Sequence, residues 1–102
     1  MKKIFFAAFS LFMAIPLYAA DPAAGQAKAA ICVACHGVNG NAPILDTYPK
    51  LGGQNAAYLE MSIKAYKNGE RTGANAALMV PMIAALTDAD IADIAAYFSS
   101  VE

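Results

Sequence analysis

An all-α fold is the reading that the sequence supports, and three observations carry it. Three segments open on good N-cap residues and continue with helix-favouring or three-and-four-spaced apolar residues. The stretches between them, residues 37–53 and 71–86, are dense in glycine, proline and asparagine. No run alternates apolar and polar residues over the length of a strand.

The chain begins with what reads as a secretory signal peptide. Lys2 and Lys3 form a charged start, residues 4–15 are apolar apart from Ser10, and Pro16 breaks the run before the small pair Ala19-Ala20. The apolar run is shorter than the roughly 20 residues of a membrane-spanning helix. Cleavage after Ala19 leaves Leu17 at the third position before the cut, and cleavage after Ala20 puts the bulkier Tyr18 there, so the first is preferred. An uncleaved anchor is the rival. Residues 1–20 are thus expected to be removed, leaving a single domain over residues 21–102.

The first expected helix opens at Asp21 as N-cap, with Pro22 at the first helical position, and runs to about Ala34 on small residues. The second covers about 55–68 and stops at Gly69. Tyr58, Leu59, Ser62, Ile63 and Tyr66 form its stripe. The third starts at Thr87, with Asp90 three residues on in the manner of a capping box. Ile91, Ile94, Ala95 and Phe98, with Tyr97 beside them, are its expected buried face. Asp88, Asp90 and Asp93 are expected to favour the positive end of its dipole.

The chemistry concentrates in Cys32-Val33-Ala34-Cys35-His36, which holds both cysteines and the sole histidine. Two thiols at this spacing sit on neighbouring faces of one helical turn and suit addition to the two vinyl groups of a haem. The adjacent imidazole then lies under the iron. This C-x-x-C-H pattern is the signature of c-type haem attachment. A zinc site needs about four ligands, and two thiols with one imidazole do not supply them. A thioredoxin-like dithiol needs a βαβ setting, of which the chain shows no sign. Covalent haem attachment in bacteria takes place outside the cytoplasm, so the signal peptide and the haem motif explain each other.

Removing residues 1–20 leaves 82, near the size at which an apolar core alone is barely sufficient. A buried haem supplies the missing apolar mass. The 59% hydrophobic content is inflated by the signal peptide and does not indicate a membrane protein. After residue 20, five basic side chains face eight acidic ones, a net charge of −3, which disfavours nucleic acid as a partner. No second C-x-x-C-H, internal repeat or phosphate-binding glycine loop is present.

From Gly25 onward the sequence resembles a class I c-type cytochrome, most of all the small periplasmic members and one half of the dihaem periplasmic cytochromes. The matching stretches run from Gly25-Gln26-Ala27-Lys28 through Cys32-Val33-Ala34-Cys35-His36-Gly37. They continue in Tyr48-Pro49-Lys50-Leu51-Gly52-Gly53, Met79-Val80-Pro81-Met82, Leu86-Thr87-Asp88, and the last helix from Ile91 to Phe98. The resemblance implies a cytochrome c fold: about three main helices and long loops wrapped around one covalently bound haem c.

It also implies roles for particular residues. Cys32 and Cys35 would carry the thioether bonds and His36 would be the proximal iron ligand. The distal ligand would be a methionine several residues before the last helix. Met79 fits that register, with Met82 as the alternative, packing on the haem if it is not the ligand. Met61, inside the second helix, is read as packing. The carbonyl of Pro49 would accept the free imidazole N–H of His36, with Pro43 as the weaker candidate, since an iron-bound histidine usually donates its other N–H to a fixed acceptor. Gly25 would let the first and last helices cross closely near Tyr97 or Phe98.

One departure bears on partners. Mitochondrial-type relatives ring the haem edge with lysines, whereas this chain keeps four lysines after residue 20. The segments around Ala74, Ala76-Ala77-Leu78 and Ile83-Ala84-Ala85 suggest a flatter apolar contact surface. The expected function is that of a periplasmic one-electron carrier of Gram-negative type, not an enzyme. It would pass electrons between redox proteins: donor and acceptor cytochromes, dehydrogenases, and a terminal oxidase or reductase. The alternative is a tightly bound electron-accepting subunit of a periplasmic dehydrogenase complex. A vacant distal site for gas or peroxide is a further rival.

Overall fold

The computed structural model describes residues 18–73 and 75–102. Most of the expected signal peptide, and Ala74 of the expected contact surface, lie outside the described residues. The described residues form five α-helices: α1 (Pro22–Lys28), α2 (Ala30–His36), α3 (Ala56–Lys67), α4 (Ala76–Ile83) and α5 (Asp88–Ser100). A short 3-10 turn, Val38–Gly40, follows α2. No strand occurs among the described residues.

Three of the N-caps form as the sequence leads one to expect. The Asp21 carboxylate accepts the Ala23 N–H at 2.9 Å, and Asn55 accepts the Tyr58 N–H at 3.1 Å. Thr87 and Asp90 close a reciprocal capping box at 3.1 and 3.0 Å. Each cap satisfies amides that the first helical turn leaves without partners. At the far end of α3 the chain turns through Gly69 in a left-handed conformation, φ 72°.

Two expectations need correction. The single helix expected from 21 to about 34 is two helices, divided at Ala29 (φ −74°, ψ 0°). Ala29 is wholly buried, and the bend there lets α1 lie along α5 while α2 carries the cysteines and His36 toward the centre of the molecule. The irregular stretch expected over 71–86 contains α4, so Met79 and Met82 lie on a helix. Pro81 removes one donor and clashes with the preceding turn. In an eight-residue helix of Ala, Leu, Met, Val and Ile, burial of Ile83 and half-burial of Met79 outweigh that cost.

α5 supplies most of the protein's own core. Ile91, Ile94, Ala95, Tyr97 and Phe98 are buried, joined by Ala29, Leu59 and Ile83. α1 crosses α5 at Gly25, where an added Cβ would stand 1.9 Å from the Asp93 carbonyl oxygen. The close approach needs a residue without a side chain. It falls one turn before the expected aromatic pair.

The stretch 37–53 is pinned rather than loose. Ile44 N–H donates to the Cys35 carbonyl at 2.9 Å, Leu51 N–H to Gly40 at 2.9 Å, and Gly53 N–H to Phe98 at 2.8 Å. The Tyr97 hydroxyl donates to Asn39, which takes a left-handed φ of 57°. These bonds set residues 47–51 against the open side of α2.

Candidate haem site

The α3 stripe that the periodicity marks is only partly packed into protein core, through Leu59 and Ile63. Of its members only Leu59 is buried, and Tyr58 is 44% exposed. All five line a cavity of about 480 Å³, well within the range of ligand-binding pockets. α2 forms the opposite wall with Ile31, Cys32, Cys35 and His36. Residues 47–51 close one side, α4 brings Met79, Met82 and Ile83, and Ile94 and Phe98 of α5 form part of the lining.

His36 is buried, and its Nδ1 lies 2.7 Å from the Pro49 carbonyl oxygen. A carbonyl only accepts, so Nδ1 donates to Pro49 and Nε2 is the ring nitrogen left for an iron. Pro43, the weaker candidate, makes no such contact with the ring. Tyr48 stands beside the imidazole with its ring centre 6.2 Å away. The oriented imidazole, two thiols on the same wall and a largely apolar chamber fit a haem.

The electrostatics speak against a redox dithiol. Burial, with a smaller contribution from Cys35, pushes the Cys32 thiol up to about 11. Catalytic dithiols depend on a lowered value that supplies thiolate near neutral pH. Among the described residues no group of three or more His, Cys, Asp or Glu side chains is arranged to hold a metal ion.

Both methionines of α4 line the cavity, three residues apart, but they are not equivalent. Met79 is half-buried, whereas Met82 is 45% exposed. Met61 is 61% exposed on the outside of α3 and does not line the cavity. Among the lining residues to which the sequence-based expectation gave no role are two cations. Arg71 stacks over the Tyr66 ring at 4.8 Å, and Lys50 lies on the wall beside Pro49. A cation held against an aromatic stripe is the signal that was available in Tyr66 and Arg71.

Comparison with known proteins agrees with this geometry. The family model described as Cytochrome c matches residues 22–102. The chain is 62% identical over 86 residues to cytochrome c-554(548) of Halomonas halodenitrificans, covering 82% of this chain and all of that protein. It is 50% identical over 82 residues to cytochrome c4 of Pseudomonas aeruginosa, covering 80% of this chain but 39% of that longer protein. The crystal structure of reduced recombinant cytochrome c4 from Pseudomonas stutzeri superposes with a TM-score of 0.67 at 31% identity, over 81% of this chain and 50% of that one. The match begins at α1, runs through the haem-binding stretch at Cys32, Cys35 and His36, and reaches the end of the chain. A single cytochrome c unit therefore accounts for all five helices and for the cavity between them, and the chain belongs to the cytochrome c family of electron carriers with covalently bound haem c.

Proposed function

We propose that the chain is an exported, periplasmic one-electron carrier whose iron is held by Nε2 of His36 and the thioether of Met79. Removal of residues 1–20 frees a domain of residues 21–102, and no helix among the described residues is long and apolar enough to cross a membrane. The observation that carries the reading is the cavity itself. It brings an oriented imidazole and a half-buried thioether to one chamber.

The bound haem supplies a one-electron iron couple. The residues of the chain do the rest. Cys32 and Cys35 anchor the group, and the Pro49 carbonyl fixes the His36 ring and makes it a better donor. The Met79 sulfur favours the ferrous state relative to a second histidine. The α3 stripe, Ile94 and Phe98 keep water from the group, which pushes the same way because the ferric form carries more charge. Lys50 and Arg71 are the two Lys or Arg side chains of the lining and suit the haem carboxylates. With His36 and Met79 both holding the iron, no site would be left for substrate chemistry. Leu78, Val80 and Met82, all exposed on α4 next to the cavity, are the surface offered to redox partners.

Single replacements of the two methionines test the ligand. Met79→Ala should abolish the weak long-wavelength ferric band of sulfur ligation, let the ferrous protein bind carbon monoxide and lower the reduction potential. Met82→Ala should keep the band. Its stability cost should fall below the ~2–5 kcal/mol of a buried methionine, since Met82 is 45% exposed. The reverse pattern assigns the ligand to Met82. A band that survives both replacements together rules out ligation from α4.

A further inference from the structure

Asp93 is the only buried carboxylate among the described residues, and the haem cavity makes no use of it. It lies at the α1–α5 crossing. Its Oδ2 accepts Lys28 Nζ at 2.6 Å. Its Oδ1 accepts two donors from the chain before α1: the Asp21 backbone N–H at 2.8 Å and the Tyr18 hydroxyl at 2.6 Å. Lys28 is shared with Asp90 at 2.9 Å, so one ammonium serves two carboxylates and the cluster keeps a negative charge. Lys28 is the one cation on this buried carboxylate, and its other oxygen is held by two neutral donors. The donors hold the Asp93 carboxyl down at about 2, the Asp21 N–H contributing most, then Lys28 and Tyr18.

Both donors on Oδ1 sit where the leader is proposed to end. Hydrolysis adds water across one peptide C–N bond, leaving a carboxylate on the leader and an ammonium on the remaining chain. A cut after Ala20 turns the Asp21 amide nitrogen, already 2.8 Å from Oδ1, into that ammonium without any movement. A cut after Ala19 places it one Cα step, about 3.8 Å, upstream. Either cut removes Tyr18 and leaves Oδ1 open to one of the three donors of an ammonium.

We propose that Asp93 is the receptor for the α-ammonium created by removal of the leader, and that Tyr18 holds its place in the unprocessed chain. Processing then replaces the neutral Tyr18 donor at the α1–α5 seam by a cation. The charged groups facing the pair are Lys28 and Asp21 from the α1 side and Asp90 from α5. The proposal rests on the signal-peptide reading above.

The test uses the processed holoprotein and an amine-acylating probe, N-hydroxysuccinimidyl acetate, near pH 7.5. An ordinary α-amine, titrating at about 7.7–8.0, is substantially unprotonated there, whereas lysines are not. Peptide mass mapping should show the wild-type α-amine acetylating at least about sevenfold more slowly than in Asp93→Asn, the expectation at this pH when its titration is raised by one pH unit or more. The haem spectrum should not change. A second variant with a short glycine–serine spacer before Asp21 leaves Asp93 intact and moves the amine away. It should react at the ordinary rate, and it carries the comparison if Asp93→Asn does not fold. A processed wild-type chain whose amine reacts as fast as the spacer variant overturns the proposal alone. An intact mass that retains Met1 overturns the signal-peptide reading and the proposal with it.

Discussion

Replacing Gly25 by alanine sets two effects of opposite sign against each other. In an isolated helix the change is favourable, by about 1 kcal/mol. At the α1–α5 crossing the new Cβ would stand 1.9 Å from the Asp93 carbonyl oxygen and 2.4 Å from its carbon, about 1.5 Å short of ordinary contact. Both obstructing atoms are backbone of α5, the element that carries most of the core, so neither swings aside as a side chain would. Overpacking of this kind costs about 1–3 kcal/mol and more when backbones must part. We take ~3 kcal/mol for the clash and ~1 kcal/mol for the helix gain, a net loss of about 2 kcal/mol. For a domain of this size that lowers the melting temperature by roughly 8–16 °C. The assay is thermal unfolding of the ferric holoprotein followed by far-ultraviolet circular dichroism. Gln26→Ala, at an exposed neighbouring position, is the control and should leave the transition nearly in place. A Gly25→Ala protein that melts at or above the wild-type temperature would refute the close crossing, because helix preference alone would then govern the site.

Three further outcomes are expected. The Asp93 carboxyl, held at about 2 against an ordinary value of ~3.9, contributes stability that is present above pH ~4 and lost as pH falls through about 2. Melting temperatures of wild type and Asp93→Asn between pH 2 and 6 should therefore converge at the acid end. Thr87→Ala removes half of the α5 capping box and should cost about 1 kcal/mol by denaturant titration, with the haem spectrum unaltered. Replacing Cys32 and Cys35 together by serine should remove covalent haem and leave a protease-sensitive chain. Recovery of a folded, haem-free double variant would show that the chain's own core suffices.

The parts legible in the sequence are those settled by near neighbours. The Thr87–Asp90 box, the Asp21 and Asn55 caps and the apolar face of α5 each depend on residues within a turn or two, and each forms as expected. The haem-binding stretch is legible because its chemistry lies within five consecutive residues. What is not legible depends on distant partners. The division of α1 from α2 at Ala29 has no glycine or proline to announce it and follows from burial against α5. Pro81 reads as a breaker, yet α4 runs through it. Asp93 reads as a charge favourable to the helix dipole. Lys28, the partner that accounts for its burial, lies 65 positions away. The α3 stripe has the periodicity of any core-facing helix, and periodicity does not distinguish a face turned to protein from one turned to a prosthetic group.

The acceptor for His36 Nδ1 is main chain, and this shapes what mutation can reach. Every amino acid brings the same carbonyl to position 49, so no side-chain exchange deletes the bond. Only a shift of the backbone lengthens it. That backbone is tethered by the bonds of Leu51 N–H to Gly40 and Gly53 N–H to Phe98, outside the cavity's chemistry. The electron-donating strength of the imidazole is thus a mechanical property of the segment that carries Pro49. With His36 as the proposed iron ligand, substitutions that loosen this tether should retune the iron from a distance, while a scan of position 49 itself should register chain stiffness more than chemical identity.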